Sequence, residues 1–277
     1  MSNIDYLLDD FDNSIFFTNN FKDYKFNHFS KKIFNLSNLS IKRINTYSNL
    51  NLTSNNISTL HNYLTDLEMH YDQNYGVNNY SSNFYDVDIA FKNAYIDLLK
   101  NEIRDLVGFD FFYQENPTLR IQLPHNSSKS FYPFYHSDIQ LGHPPYEINI
   151  WFPLSPPSVK EGHGFVICDL QKSIDFFKNI NFNFDYLKNN KSSIAQQLID
   201  FSEIIDFDLG NILFFDSRCL HSTIPLVNHS RLSVDVRIMP KNIYKQFSHD
   251  YQGSGRKKVL FKPGDGYSLK SIDETEL

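Results

Sequence analysis

Cysteine is scarce in this 277-residue chain: Cys168 and Cys219 are the only two, and neither belongs to a C-x-x-C pair. A disulfide framework is excluded, and a reducing, cytoplasmic setting is expected. Long apolar runs are missing as well. No stretch approaches the roughly 18 residues of a membrane span, and the acidic opening MSNIDYLLDDFDNS has neither the basic nor the apolar region of a signal peptide. The chain reads as a soluble intracellular protein. Nor is there a basic block. With 26 Lys+Arg against 32 Asp+Glu the net charge is −6, which argues against nucleic acid or an anionic membrane as the main partner and leaves a small charged ligand open. Internal repeats and Pro/Gly/Ser-rich linkers are also lacking, so the length suits one large domain or a domain with an appended helical part. What is present is a hydrophobic share of 41% with 16% aromatics, enough for a large core.

The periodicity changes midway. Ile57, Leu60, Leu64, Leu67 and Tyr71 recur at steps of three and four after the Ser54-Asn55-Asn56 cluster, which predicts a capped helix. Phe91, Tyr95, Leu99, Ile103 and Leu106 form a second stripe, preceded by Asp86 and Asp88 and stopped by Gly108; a left-handed cap is expected there. From Thr118 the pattern turns to short β-type runs: TLRIQL, SFYPFYH, YEINIWFPL, HGFVICDL, NILFFD and RLSVDVRIM. These predict an antiparallel sandwich or barrel. Residues 171 to 206 read as partly helical. From Lys241 onward the polar GSGRKK and PGDG segments read as a surface extension or a partly mobile tail. The expected division is 1–115, a mostly helical part packing on the core; 116–240, a β core; and 241–277, a C-terminal extension.

Three pieces of the β half carry chemistry. His136 and Asp138 are separated by one residue, so an extended chain points both to one face. His221 follows the strand-like run that ends at Asp216. Arg231, ten residues after His221, opens a strand of strict alternation, with Arg231, Ser233, Asp235 and Arg237 on one face and Leu232, Val234, Val236 and Ile238 on the other. If the apolar face packs inward on the rest of the protein, two guanidinium groups enter an enclosed space, where unpaired charge costs several kcal/mol. Asp235 can answer one of them, and a ligand carboxylate held by Arg231 with the Ser233 hydroxyl can answer the other. Two imidazoles and one carboxylate on a β scaffold make the facial triad of non-haem Fe(II) oxygenases, which leaves three adjacent metal positions open.

H-x-D, a distant His, then Arg ten residues on followed by x-S, resembles the Fe(II)/2-oxoglutarate-dependent dioxygenases of the phytanoyl-CoA dioxygenase type. YHSDIQLGHPPYEINIWFPLSPP with N-x-x-R-L-S-V-D-V-R is similar, more narrowly, to a bacterial StrG-like branch. The match spans roughly Thr118 to Pro240. The resemblance implies a mainly β fold with α additions, its core a double-stranded β-helix, also called a jelly roll, of cupin-like form. It implies Fe(II), with 2-oxoglutarate and O2 as cosubstrates, and hydroxylation of a small polar metabolite with release of succinate and CO2. His136, Asp138 and His221 would be the iron ligands, and Arg231, assisted by Ser233, the clamp on the distal carboxylate of 2-oxoglutarate. Asn149, Gln122 and Arg120 alternate with apolar neighbours and are weaker candidates for the cosubstrate. Arg237 could hold a carboxylate or simply pair with Asp235. Asp at position 138, where related halogenases carry a small residue, favours C–H oxidation over halogenation.

Other residues have blander readings. His143, His163 and His229 suit turns or the surface, and His61 and His70 a solvated helix. Tyr135, Tyr146 and Trp151 suit the core, Cys219 a buried strand position beside His221, and Asp216 a strand end. Arg256, Lys257 and Lys258 suit a solvated turn. Two other functions use the same fold. A cupin-like isomerase or oxo-acid-independent dioxygenase would keep the histidines but would not need Arg231, and a non-catalytic jelly-roll binding protein would need neither.

Overall fold

The computed structural model describes residues 25–65, 71–72, 77–78, 88–124, 135–138, 143, 147–157, 164–181, 183, 186, 189–223, 226, 228–242, 262–263 and 266–276. Readings that fall on Leu67, His70, Asp86, residues 130–134, Tyr146, His163 and residues 253–258 lie outside them.

Strand β1 (Lys25–Phe29) leads into α1 (Lys32–Ser48), a helix closed by Asn49 at φ 53°. Among the described residues only a 3₁₀ helix over Ile57–Asn62 follows, and Tyr71 lies in the short strand β2 (Tyr71–Asp72), paired with β3 (Val77–Asn78). The expected longer helix is thus corrected. Asn56 directs its side-chain oxygen back to the Thr53 N–H at 2.6 Å and leaves the helix N-terminus without a side-chain cap. The second predicted helix forms. Asp88 accepts from the Phe91 N–H at 2.8 Å to start α2 (Ile89–Leu98), which continues through a π turn at Leu99–Ile103 into α3 (Arg104–Val107) and ends at Gly108, φ 76°.

The β half comprises β4 (Phe111–Tyr113), β5 (Thr118–Gln122), β6 (Ile148–Pro153), β7 (Phe165–Cys168), α4 (Leu170–Asn179), α5 (Lys191–Leu198), β8 (Ser202–Ile205), β9 (Asn211–Asp216), β10 (His221–Thr223) and β11 (Arg231–Pro240). The stretch 171–206, read as partly helical, therefore also holds strand β8. The main sheet runs β1-β9-β6-β11, with β4 and β5 both pairing β11; the second runs β10-β7-β8, extended by a bridge between His136 and His221. After β5 the chain alternates between the sheets: the His136 segment, β6, β7 with β8, β9, β10 and β11. Antiparallel strands shared between two sheets in this way have jelly-roll connectivity, so the fold is mainly β with helical additions. Lys25 on the edge strand of one sheet pairs with Glu203 on the edge strand of the other.

The alternation along β11 sorts two cores. Leu232, Val234, Val236 and Ile238 are at most 1% exposed and pack with Ile150, Phe152, Phe214 and the buried faces of α1 and α2. Burying each such side chain contributes about 1.5–3 kcal/mol. The opposite face meets the second sheet across Trp151, Phe165, Ile167, Leu213 and Phe215. Among the described residues of the C-terminal segment, part of 266–276 is buried rather than on the surface. Strand β13 (Gly266–Tyr267), paired with β12 (Lys262–Pro263), brings Tyr267 alongside Gln114, and Tyr267, Ser271 and Ile272 are buried. Among the described residues no helix is long and apolar enough to cross a membrane.

Candidate metal centre

His136 and His221 lie opposite each other in the second sheet and exchange both backbone hydrogen bonds, at 3.0 and 2.8 Å. Their imidazole centroids are 4.4 Å apart. Asp138 is tied to the turn after β9 by its N–H, which donates to the Ser217 carbonyl at 3.2 Å. One ligand atom from each of His136, Asp138 and His221 lies within 4.8 Å of the others, a group able to hold a metal ion. The tautomer of His221 is settled locally. Its Nδ1 stands 3.0 Å from the Cys219 carbonyl, which can only accept, so Nδ1 carries the proton and Nε2 keeps its lone pair. Phe165 and Phe215 flank that ring at centroid distances of 5.7 and 5.0 Å. Burial lowers the pKa of His221 despite the opposing pull of Asp138, which keeps the imidazole neutral, as ligation requires. Burial acts to raise the Asp138 pKa, but Arg237, with His143 and His221, outweighs it and holds the carboxyl well below the usual range.

Arg237 is the counter-ion. Its Nε donates to Asp138 Oδ2 at 2.7 Å and its Nη1 to Gln114 Oε1 at 3.1 Å. It does not take Asp235, which pairs with Arg120 instead. The second oxygen of Asp138, Oδ1, is buried without a hydrogen bond.

The inward face of β11 and its neighbours gathers the other predicted residues. By register Arg231 faces Gln122, Ser233 faces Arg120, and Arg237 faces Asn149. Arg231 is 1% exposed, and its guanidinium lies 5.4 Å from the Trp151 ring centroid, a desolvated cation–π contact. Gln122 Oε1, both amide atoms of Asn149 and Ser233 Oγ are buried without hydrogen bonds. Such atoms are costly alone and well matched to a polyoxygenated ligand. Arg120, with its side chain 29% exposed and committed to Asp235, stands at the margin of this group.

No protein-family model matches the chain, and no curated protein does. Solved structures do. The α-ketoglutarate-dependent carbocyclase SnoK from nogalamycin biosynthesis is 13% identical over 51% of this chain and 55% of its own, with a TM-score of 0.33. EctD from S. alaskensis, solved with 2-oxoglutarate and 5-hydroxyectoine, is 12% identical over 80% of this chain and 74% of its own, TM-score 0.46. HygX from Streptomyces hygroscopicus, solved with nickel and 2-oxoglutarate, is 11% identical over 79% and 83%, TM-score 0.47. The chain spans little more than half the length of SnoK.

Several bland readings give way around this centre. His143 is not a surface residue: it is 6% exposed, with Nδ1 2.9 Å from Glu147 Oε2. His229 is buried too. His61 is half-buried, with Nδ1 2.9 Å from Ser230 Oγ, and is not a solvated helical residue. Cys219 is buried, but in the turn before β10. Its contribution to His221 is its carbonyl. Asp216 ends β9 as expected and is also the partner of Arg218, which is 2% exposed and donates from Nε and Nη2 at 2.9 and 2.6 Å. Glu147, Gln114, Arg218 and Tyr267 escaped sequence reasoning as parts of this neighbourhood. Glu147 shares a strand face with Asn149, which was the available signal; Tyr267 offered none.

Proposed function

We infer that the chain is a non-haem Fe(II)- and 2-oxoglutarate-dependent oxygenase that oxidises a small polar metabolite, of the phytanoyl-CoA dioxygenase type and StrG-like branch that its motifs resemble. One observation carries the reading: the ligand atoms of His136, Asp138 and His221 converge within 4.8 Å while Asp138 Oδ1, buried, has no hydrogen bond. The donor set, two imidazoles and one carboxylate, suits Fe(II). When bound, Fe(II) with 2-oxoglutarate and O2 supplies the oxidising power to break a C–H bond, with succinate and CO2 as by-products.

The chain's own residues supply position and dryness. Arg231, kept from water against Trp151, offers a planar fork to the distal carboxylate of 2-oxoglutarate, and the Ser233 hydroxyl stands two residues along the same face. Asn149 and Gln122 present amides to the remaining cosubstrate oxygens. Arg237 keeps Asp138 ionised and hence a ligand. Trp151, with the Phe165 and Phe207 ring centroids 5.3 and 4.8 Å from its own, helps these rings exclude solvent between the sheets. Hydroxylation is the expected outcome of hydrogen abstraction at such a site.

The deciding experiment adds Fe(II) and 2-oxoglutarate to the protein without oxygen. A weak visible charge-transfer band, followed by succinate release when O2 is admitted, supports the reading; metallated protein lacking both refutes it. A cupin-like enzyme independent of an oxo acid would bind metal with no such band and would not respond to replacement of Arg231.

A further inference from the structure

Asp138 sits in a second cluster of metal-capable residues, with His143 and Glu147. The contacts there describe a closed ring. Arg237 Nε donates to Asp138 Oδ2 at 2.7 Å and Arg237 Nη1 to Gln114 Oε1 at 3.1 Å. Gln114 is bridged through its backbone to Tyr267, and Gly266 and Ser268 extend the pairing, with Glu115 N–H to Gly266 carbonyl at 3.2 Å and Ser268 N–H to Tyr113 carbonyl at 2.8 Å. The Tyr267 hydroxyl donates to Glu147 Oε1. Glu147 Oε2 lies 2.9 Å from His143 Nδ1, and the His143 backbone N–H donates to the Asp138 backbone carbonyl at 3.1 Å. The ring thus returns to Asp138.

We propose that Tyr267, delivered by the C-terminal segment, is a positioning residue for the metal centre: it orients Glu147, and through His143 and Arg237 the ring holds Asp138 in its ligating pose. The proposal rests on the functional reading above. Core packing alone would be served by phenylalanine, yet the hydroxyl is spent on a carboxylate whose side chain is fully buried, where an unanswered charge is costly. The Tyr267 hydroxyl donates to Glu147, and His143 Nδ1 lies within 2.9 Å of the same carboxylate, so Glu147 stands between them. A second ion at Asp138, His143 and Glu147 is disfavoured, because Arg237 already occupies Asp138 Oδ2 and both groups would have to draw on the one remaining oxygen, Oδ1.

The test is Mn(II) titration of full-length apoprotein, wild type against Tyr267→Phe and Glu147→Gln, with circular dichroism and thermal melts on each. The Co(II)-loaded forms give ligand-field spectra. Loss of outer-shell support costs metal sites about 10- to 100-fold in affinity. Mn(II) binding is therefore expected to weaken about tenfold in Tyr267→Phe and in Glu147→Gln, with a shifted Co(II) band, and the double variant should be no worse than the weaker single. Tyr267 acting in packing alone would lower the melting temperature while leaving the Mn(II) affinity and Co(II) band of the folded protein unchanged. Affinity within twofold of wild type in both folded single variants would overturn the proposal, as would two Mn(II) ions per wild-type chain. Wild-type protein that binds no Mn(II) would overturn both this and the functional reading, which separates the two failures. Should Tyr267→Phe not fold, Glu147→Gln carries the test.

Discussion

His136 and His221 face each other across one rung of the second sheet, each giving its N–H to the other's carbonyl at 3.0 and 2.8 Å. Strand pairing itself sets the spacing of the two imidazoles. Replacing either side chain leaves that rung intact, because the backbone makes it. His221→Ala is therefore expected to keep the wild-type circular dichroism and a cooperative melt while losing Mn(II) binding at concentrations that saturate the wild type; retained stoichiometric binding would count against the site.

Arg231 gives the sharpest prediction on the cosubstrate. Leaving one partner of a desolvated charge pair unanswered costs about 2–5 kcal/mol, so Arg231→Leu should raise the KM for 2-oxoglutarate by about 30-fold or more. Mn(II) affinity should be little changed, since the guanidinium is not among the ligand atoms. Steady-state succinate release against 2-oxoglutarate concentration checks the first expectation and metal titration the second.

The buried pair Asp216–Arg218 shapes the turn that presents the Ser217 carbonyl to Asp138 and the Cys219 carbonyl to His221. Arg218→Met strands a carboxylate and should cost about 3–5 kcal/mol, read as a lower denaturant midpoint. Asp216→Asn combined with Arg218→Met should recover part of that loss. If the double variant is as unstable as the single, the stranded charge is not the cause.

His61 makes the fold sensitive to mild acid. Burial lowers its pKa below the ordinary 6.5, and His229 pushes the same way. A histidine whose folded pKa lies below its unfolded one binds fewer protons when folded between the two values. Its contribution to stability is thus fully present above about 6.5 and is lost as pH falls through the folded value. Melting temperatures measured from pH 7.5 down to 5 should decline, and His61→Asn should flatten part of that decline. A slope identical in the variant would assign the effect elsewhere.

The strands from Thr118 and the helix from Ile89 were legible because their side-chain periods match their burial, and Asp88 and Gly108 punctuate the helix as local chemistry requires. The longer helix from Ile57 was not formed, because Asn56 has a competing partner in Thr53 that no periodicity reveals. At the site, His136, Asp138, His221 and Arg231 could be placed by motif and parity. Arg237 was placed on the correct face with its partner left open: Asp235 is two residues away on its own strand, whereas Asp138 reaches it only through tertiary pairing. His143 and Tyr267 illustrate the general loss. Their neighbours are set by a bridge to Gln114 and a contact with Glu147, and neither spacing nor composition encodes such encounters.

The division of β11 into two faces has a genetic consequence. Substitutions at Leu232, Val234, Val236 and Ile238 act on the packing against the helices, and those at Arg231, Ser233, Asp235 and Arg237 act on what lies between the sheets. Odd and even positions should therefore give different phenotypes in a mutational scan, one concerning ligand use and the other protein abundance. A single inserted or deleted residue in this strand exchanges the two classes at once, so length is less negotiable here than any individual side chain.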